Sequence, residues 1–91
     1  GKAVGIAGRV VDPSGRPIAN ALVEASPVSR NAGPVPDLAV TTDTNGRFVW
    51  ELAPGTYRLR ILLRGQEIAR RTVTVTAGQF TGTNIVAPAG R

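Results

Sequence analysis

The sequence predicts an all-β domain whose antiparallel strands form a sandwich or a barrel. Three observations predict this class. Apolar residues follow no helical spacing over a useful length. Apolar and polar residues alternate instead in about seven short segments, which recur about every 8–12 residues as in antiparallel sandwiches and barrels. Glycine, proline, aspartate and asparagine separate the segments, and these residues favour turns.

The composition limits the size and the chemistry of the domain. At 91 residues the chain is long enough for one domain with one modest core. It contains no cysteine and no histidine, which removes disulfides, zinc–sulfur sites and the usual general base and transition-metal ligand. The net charge of +5 favours acidic partners, although the basic residues alternate along strands and form no basic block.

Targeting and domain boundaries can also be predicted. No apolar run approaches the roughly 20 residues that span a bilayer, and the first residues lack a signal-peptide pattern. We expect residues 1–87 to form a single domain and residues 88–91 to begin a C-terminal linker. Because the chain also lacks methionine, we expect a module of a longer protein whose export signal lies elsewhere.

Alternation first occurs in the segment AVGIAGRVVD, which predicts a half-buried strand. The side chains expected on its inward face are those of Val4, Ile6, Gly8 and Val10. The next residues, Asp12–Gly15, predict a type I turn, since Pro13 stands at the second turn position and Gly15 at the last.

A second strand and a long loop follow. The segment IANALVEASPV places Ala21, Val23 and Ala25 on one face, and Asn20 is predicted to cap or bulge the start of the strand. The segment SPVSRNAGPVPDL predicts the one long loop, because its glycine, asparagine and prolines oppose regular pairing. These residues are Pro27, Asn31, Gly33, Pro34 and Pro36. Few charges and no aromatic residue lie there, so we interpret it as a variable surface connection.

Five further strands are predicted in the rest of the chain. They lie in the segments LAVTTD, GRFVWEL, GTYRLRILL, EIARRTVTVTA and FTGTNIVA. Phe48 and Trp50 share one face of their strand and are expected in the core. The inward face of the next strand is expected to hold Tyr57, Leu59, Ile61 and Leu63.

The hairpin around the segment LLRGQEIA has two alternative registers. A two-residue turn that begins at Gly65 would pair Leu59 with Thr72 and would place polar groups in the core. A three-residue loop that begins at Gly65 pairs Leu59 with Val73 instead and keeps the apolar face continuous. We therefore predict the three-residue loop.

This register also predicts a candidate contact surface on the outer face of the hairpin. Its residues are Arg58, Arg60, Arg70, Thr72 and Thr74, with Leu62 and Ile68 toward the tip. Guanidinium groups bind carboxylates and sulfates well, so the expected ligand is an acidic protein surface or an anionic glycan. Arg71 is expected to face inward beside Ile61 and to extend its guanidinium to the rim or to a carboxylate.

The segment TTDTNGRF can be interpreted as the start of a calcium-binding loop or as a turn. Calcium takes about six oxygen ligands, whereas Asp43 and Glu51 are the only acidic residues from Asp43 to Gly55. We therefore predict a turn in which Asp43 accepts hydrogen bonds from backbone N–H groups two or three residues on. Asn45 and Gly46 are expected to supply the positive φ, and no metal or cofactor site is predicted.

Two phrases together resemble a known family, namely GRVVDPSGRPIANALVEA and TTDTNGRFVWELAPGTYRLRI. The residues that define the pattern are Gly8, Asp12, Gly15, Pro17, Asp43, Gly46, Phe48, Pro54, Gly55 and Tyr57. In this order and spacing they resemble the carboxypeptidase regulatory-like domain over about residues 6–63. The resemblance implies an antiparallel seven-stranded Greek-key β-sandwich, of the transthyretin-like (prealbumin-like) kind.

The resemblance also implies a role that is not catalytic. Such domains accompany secreted carboxypeptidases, glycan-active enzymes, adhesins and outer-membrane receptors. Enzymes of similar fold use histidines, or histidines and tyrosines, whereas this chain has no histidine and only Tyr57, which is predicted in the core. We therefore expect a non-catalytic spacer or protein-docking module of a larger bacterial protein, in an extracellular, periplasmic or cell-surface location.

Two alternatives concern binding and cross-linking. Recognition of an anionic glycan would use the arginine-bearing face, without an aromatic platform if Trp50 is buried. The spacing of the second phrase is also similar to collagen-adhesin B-type repeats, many of which form a lysine–asparagine isopeptide bond. Lys2 and Asn84 are the candidates, but no glutamate follows Tyr57 on its strand, so we expect an intact mass without loss of ammonia. Nucleic-acid binding is disfavoured, because no aromatic residues interleave with the arginines.

Overall fold

The computed structural model describes residues 4–30, 32 and 39–88, and this part of the chain forms seven β-strands and no helix. The strands are β1 Gly5–Val11, β2 Leu22–Pro27, β3 Val40–Thr41, β4 Arg47–Glu51, β5 Gly55–Leu63, β6 Gln66–Val75 and β7 Phe80–Val86. Six strands lie within the predicted segments, and β6 begins one residue before its segment, at Gln66. Within the described ranges no helix could cross a membrane.

The strands form two sheets that pack as a β-sandwich. The three-stranded sheet has the order β4-β1-β7, and the four-stranded sheet has the order β3-β2-β5-β6. Neighbouring strands are antiparallel except β1 and β7, which run parallel with Gly5 beside Phe80 and Val11 beside Val86. The prediction of an entirely antiparallel fold is therefore wrong for this pair.

The parallel pair joins the first and the last strand of the chain. The connection from β5 to β6 is an antiparallel hairpin, whereas the connections from β4 to β5 and from β6 to β7 pass from one sheet to the other in three and four residues. Because β1 is antiparallel to β4 and parallel to β7, the two outer strands of the three-stranded sheet run in opposite directions. The long crossover that parallel neighbours need is here supplied by the five intervening strands.

The core lies between the two sheets and is formed by the inward side chains. Its members are Ile6, Val10, Ala21, Val23, Phe48, Trp50, Leu52, Tyr57, Leu59, Ile61, Val73, Val75 and Ile85. The indole Nε1 of Trp50 donates a hydrogen bond to the carbonyl of Val23, 3.0 Å away in the opposite sheet. Gly8 leaves room for the Phe48 ring, because a Cβ at Gly8 would clash with it. The predictions of a core position for Phe48, Trp50 and Tyr57 are thus confirmed.

The turn of the β5–β6 hairpin differs from the prediction. Leu63 pairs with Gln66, so the turn contains only Arg64 and Gly65. Their φ angles of 53° and 79° are both positive, as in a type I′ turn, whose twist matches that of the flanking strands. The predicted three-residue loop that begins at Gly65 is therefore wrong. This turn could not be predicted from the sequence, because arginine rarely adopts a positive φ.

The register of the hairpin is also shifted from the prediction. Leu59 lies opposite Arg71 and not opposite Val73. One extra residue on β6, Ile68, is left unpaired where the register shifts at the Ile61 and Leu62 pairs. From Gly55 to Ile61 the predicted and observed registers differ by two residues, so the inward and outward faces of that part remain as predicted. Ile68, which was predicted on the outer face toward the tip, packs against the core instead, so that prediction is wrong.

The first D-x-x-G-R loop, residues 12–16, joins β1 to the chain that leads to β2. The amide of Gly15 donates to the carbonyl of Asp12 at 2.9 Å, which confirms the predicted turn. Asp12 Oδ1 accepts bonds from the backbone amides of Ser14 and Arg16, each at 2.9 Å, and from the Ser14 hydroxyl at 2.7 Å. Gly15 has a φ of 91°, which closes a three-residue loop. Pro17 then forms an isolated bridge with Val11.

The second D-x-x-G-R loop, residues 43–47, repeats this geometry before β4. Asp43 Oδ1 accepts bonds from the backbone amides of Asn45 at 2.8 Å and Arg47 at 2.9 Å, and the Gly46 amide donates to the Asp43 carbonyl at 2.9 Å. The predicted turn is confirmed. Only Gly46 has a positive φ, of 75°, so the expectation that Asn45 shares it is wrong.

The start of the long loop is more regular than predicted. Pro27 is the last residue of β2 and pairs with Tyr57 of β5, so the prediction that this proline opposes pairing is wrong. β3 pairs with β2 only at Leu22 and Val23, and no described strand therefore needs an N–H group on the other side of Pro27. The other residues predicted to break the loop, Asn31, Gly33, Pro34 and Pro36, lie outside the described residues.

The loop that packs beside β5 explains why the motif has glycine at position 55. Gly55 follows the exposed Pro54 and begins β5 with a φ of 150°. A Cβ on Gly55 would lie 2.6 Å from the Cα of Ala32, so the loop can approach only because this residue is glycine. The hydroxyl of Ser29 accepts a bond from the Thr56 amide at 2.9 Å and helps to hold this approach.

Candidate functional site

The residues of the predicted contact surface lie together on the outer face of the four-stranded sheet. In the β5–β6 ladder, Arg58 pairs with Thr72 and Arg60 pairs with Arg70. Thr74 pairs with Thr56, and their hydroxyl oxygens are 3.1 Å apart. We call the five residues Arg58, Arg60, Arg70, Thr72 and Thr74 the arginine face.

Two glutamates neutralise much of the charge of the arginine face. Arg60 Nη1 lies 3.1 Å from Glu24 Oε1, and Arg60 Nε lies 2.9 Å from Glu67 Oε1. Arg70 Nε and Nη2 donate to the two carboxylate oxygens of Glu67 at 3.0 and 3.1 Å. Glu67 therefore lies between two arginines that face each other across the ladder and would otherwise repel.

The electrostatics of Glu67 reflect these contacts. Hydrogen bonds from Arg70 and then Arg60 lower the pKa of Glu67 from 4.5 to about 2. The same Glu67 carboxylate raises the pKa of Arg70. Glu67 consequently stays ionised over the physiological pH range and holds both guanidinium groups in place.

The bulge in β6 makes this arrangement possible. Glu67 and Arg70 are three positions apart, and successive side chains of a regular strand point to opposite faces, so the two would lie on opposite faces without a bulge. The unpaired Ile68 adds one residue between them and brings Glu67 to the outer face, while Ile68 and Ala69 both pack against the core. The bulge thus creates an ion cluster that strand alternation does not predict.

The arginine face retains little capacity to bind an anion. Among the described residues Arg58 is the only one of its three arginines whose guanidinium lacks a side-chain partner. Three arginines and two glutamates leave one net positive charge on the face. Neither glutamate was predicted on this face. The outward position of Glu24 follows from the alternation of β2, whereas that of Glu67 depends on the bulge.

Arg71 lies on β6, the edge strand of the four-stranded sheet, and bonds to β7 of the other sheet. It pairs with Leu59 and not with Ile61, and its side chain is exposed. Arg71 Nη2 donates to the carbonyl of Asn84 in β7 at 3.1 Å. The prediction that it extends to the rim is therefore confirmed, with a backbone carbonyl as its partner in place of a carboxylate.

The other candidate groups have structural partners. The Tyr57 hydroxyl donates to the carbonyl of Ala53 at 2.6 Å. Backbone bonds from Arg47 and Asn45 lower the pKa of Asp43, and the Ser14 hydroxyl and the Arg16 amide lower that of Asp12. No group of three His, Cys, Asp or Glu side chains in the described ranges could hold a metal. Lys2, the isopeptide candidate, lies outside the described residues.

Comparison with known proteins identifies one family. The model of the carboxypeptidase regulatory-like domain matches residues 5–88, which is nearly the whole chain. A comparison with curated proteins finds no match. The matched range extends beyond the 6–63 segment that carries the sequence resemblance and includes β6 and β7.

Proposed function

Because the chain belongs to the carboxypeptidase regulatory-like domain family, we propose that it is an accessory module of a larger protein, where it acts as a spacer or a protein-docking domain. The family is a generally non-catalytic β-sandwich module. The proposal includes a Greek-key, transthyretin-like arrangement of the strands. It also includes a secreted or cell-surface bacterial parent protein, with residues 88–91 at the start of a linker.

The observation that carries this proposal is the structural use of the polar side chains. The hydroxyl groups of Thr42 and Tyr57 bond to backbone groups, and the carboxylates of Asp12 and Asp43 close loops. Glu67 is held between two arginines. Each of these groups stabilises the fold, and the partners of Asp12, Thr42, Asp43 and Glu67 in the described residues are backbone groups, the Ser14 hydroxyl and arginines, which do not form a nucleophile–base arrangement.

An anionic-glycan role has weaker support than docking. Sites for anionic glycans combine several guanidinium or ammonium groups that are free to bind the ligand. Here the guanidinium groups of Arg60 and Arg70 already form ion pairs with Glu24 and Glu67. Heparin binding provides the test. We expect weak retention that disappears at moderate salt and is equal in wild type and the R58Q variant; tight retention that R58Q abolishes would favour the glycan role.

Domain replacement in the parent protein tests the proposed function. We expect deletion of residues 5–88 to impair the activity or surface display of the parent. An unrelated β-sandwich of similar length is the matched control, because it restores spacing but no specific contact. Rescue by the unrelated domain identifies a spacer, and lack of rescue identifies docking. A deletion without any effect would contradict both roles.

A further inference from the structure

The outer face of the three-stranded sheet contains a shallow apolar trough. Its floor is formed by the small residues Ala7 on β1 and Gly82 on β7, which are neighbours in the ladder. Val49 on β4 lies beside Ala7 on the other side. A depression of about 550 Å³ lies over these residues. Phe80 does not line this depression but lies on the same face, at the start of β7. We call Ala7, Val49 and Gly82, together with Phe80 at the end of the sheet, the trough.

Two of the trough side chains are large, apolar and exposed. Val49 is 58% exposed, and Phe80, which pairs with Gly5 at the end of the sheet, is 39% exposed. Apolar groups that lie together on a solvent-facing sheet are typical of contact surfaces. Since the inward face of the same sheet already forms the core, the fold itself does not require apolar residues here.

The trough ends at a pair of arginines that form no salt bridge with a described residue. Arg9 and Arg47 lie directly opposite each other in the β1–β4 ladder. Arg9 Nε donates to the carbonyl of Asn45 at 3.1 Å, and neither guanidinium forms a salt bridge with a described residue. The nearest acidic groups form no salt bridge with them: the Asp43 carboxylate bonds to the backbone amide of Arg47 and interacts with the Arg47 guanidinium only through its charge. Glu51 lies at the opposite end of β4.

Each sheet therefore contains two arginines that lie directly opposite each other, and the two pairs differ in their carboxylate partners. On the four-stranded sheet Arg60 and Arg70 are also directly opposite, and Glu67 bonds to both. On the three-stranded sheet Arg9 and Arg47 have no such carboxylate. Like charges opposite each other destabilise a ladder, so the pair on the three-stranded sheet is complementary to a carboxylate from outside the domain.

The size of the surface indicates the type of partner. Three strands about 4.8 Å apart, over five residue pairs of about 3.4 Å each, give a face of about 250 Å². A stable complex between separate chains buries about 800 Å² on each partner. So small a surface binds effectively only when a tether keeps the partner at high local concentration, which favours a neighbouring domain of the same polypeptide over a second copy.

We propose that the trough and the Arg9–Arg47 pair together dock a neighbouring domain of the parent protein, which presents an apolar side chain next to a carboxylate. This inference rests on the docking form of the proposed function and assigns it to one face. The apolar side chain covers Ala7 and Gly82 and contacts Val49 and Phe80. The carboxylate accepts hydrogen bonds from the two guanidinium groups.

Hydroxyl-radical footprinting of the free chain and of the parent protein tests the assignment. Val28 is 50% exposed and Leu22 is 43% exposed, and neither lies on the trough, so they are matched controls for Val49 and Phe80. We expect oxidation of Val49 and Phe80 to fall about fivefold or more in the parent protein, and that of Val28 and Leu22 to stay within about twofold. Such protection corresponds to a docked population of about 80% or more.

Two matched pairs of variants separate docking on this face from docking elsewhere. We expect V49D and R47E to abolish the protection of Phe80, while V28D and R58E, which alter equally exposed sites, retain it. Protection of Leu22 and Val28 in place of the trough would keep docking and overturn this face. Protection that instead rises with the concentration of the free chain would identify a second copy as the occupant and overturn the proposal. If each of the four residues is oxidised to the same extent in the free chain and in the parent protein, the assignment of this face is wrong and only the spacer role remains.

Discussion

The two D-x-x-G-R loops have the same local structure and different surroundings. In both, an aspartate accepts backbone bonds and a glycine of positive φ closes the loop. A Cβ added to Gly15 would meet no atom within 4 Å, whereas one added to Gly46 would clash with the Val10 carbonyl and lie 3.2 Å from Ile18 N. The comparison shows that one sequence motif can specify a loop conformation without specifying how the loop is packed.

The packing of the second loop explains this difference. The amide of Val10 donates to the carbonyl of Gly46 at 2.8 Å, and the amide of Ile18 donates to the carbonyl of Val10 at 2.9 Å. The second loop is therefore hydrogen-bonded to the end of β1. The hydrogen bonds of Asp12 and Gly15, by contrast, remain within the first loop.

The largest expected effect is that of Gly46→Ala, with Gly15→Ala as its matched control. Both substitutions place alanine at a positive φ, which costs about 1 kcal/mol. Gly46→Ala must in addition displace backbone at Val10, so we expect a total loss of about 3 kcal/mol in the free energy of unfolding. Urea denaturation measures both. Equal losses for the two variants would show that the contact with Val10 does not stabilise the fold.

The next largest effect concerns Thr42, which precedes the second loop. Its buried hydroxyl donates to the Ile18 carbonyl at 2.8 Å and accepts the Ala21 amide at 2.9 Å. We expect Thr42→Val to cost about 2 kcal/mol, because it leaves a buried amide without a partner. Thr42→Ser keeps the hydroxyl and should cost about 1 kcal/mol, for one lost methyl group. Thermal unfolding that ranks serine below valine would contradict this role for the hydroxyl.

A substitution in the β5–β6 turn should stabilise the fold, because Arg64 has a positive φ, as Gly15 and Gly46 do in the two D-x-x-G-R loops. In the two D-x-x-G-R loops glycine occupies the positive-φ position, whereas Arg64 has a φ of 53° in the hairpin turn. Asparagine adopts this conformation more readily, so we expect Arg64→Asn to raise the free energy of unfolding by about 0.5–1 kcal/mol. Gly65→Ala is the opposite control and should destabilise. No gain from Arg64→Asn would indicate that the arginine stabilises the turn through other contacts.

The sequence allowed prediction of the strands and faces but not of their partners. Alternation located all seven strands and the inward positions of Phe48, Trp50 and Tyr57, because each pattern is local. It did not reveal that β7 is parallel to β1, because alternation is the same in both chain directions. It also did not reveal the Arg64–Gly65 turn or the bulge at Ile68, and the position of Glu67 in the ion cluster depends on the bulge.

The smallest effect, and the one that tests whether the loops are locally equivalent, is their response to acid. Hydrogen bonds lower the folded-state pKa of Asp12 and Asp43 below the ordinary value of 3.8. Each carboxylate therefore adds stability that is present above pH 3.8 and is lost as the pH falls through the folded pKa. Asp12→Asn and Asp43→Asn should each lower stability at neutral pH by similar amounts and approach wild type in acid.

Urea denaturation at neutral pH and below pH 3.8 measures this convergence. The E67Q variant serves as the background, because Glu67 has a pKa of about 2 and loses its stabilising effect between pH 4.5 and 2, in an overlapping range. Added salt screens the exposed arginine pairs of Glu67 more than the short backbone bonds of the loops. If Asp43→Asn lost far more stability than Asp12→Asn, the charge of Asp43 would also contribute to packing against β1, and the equivalence of the two loops would fail.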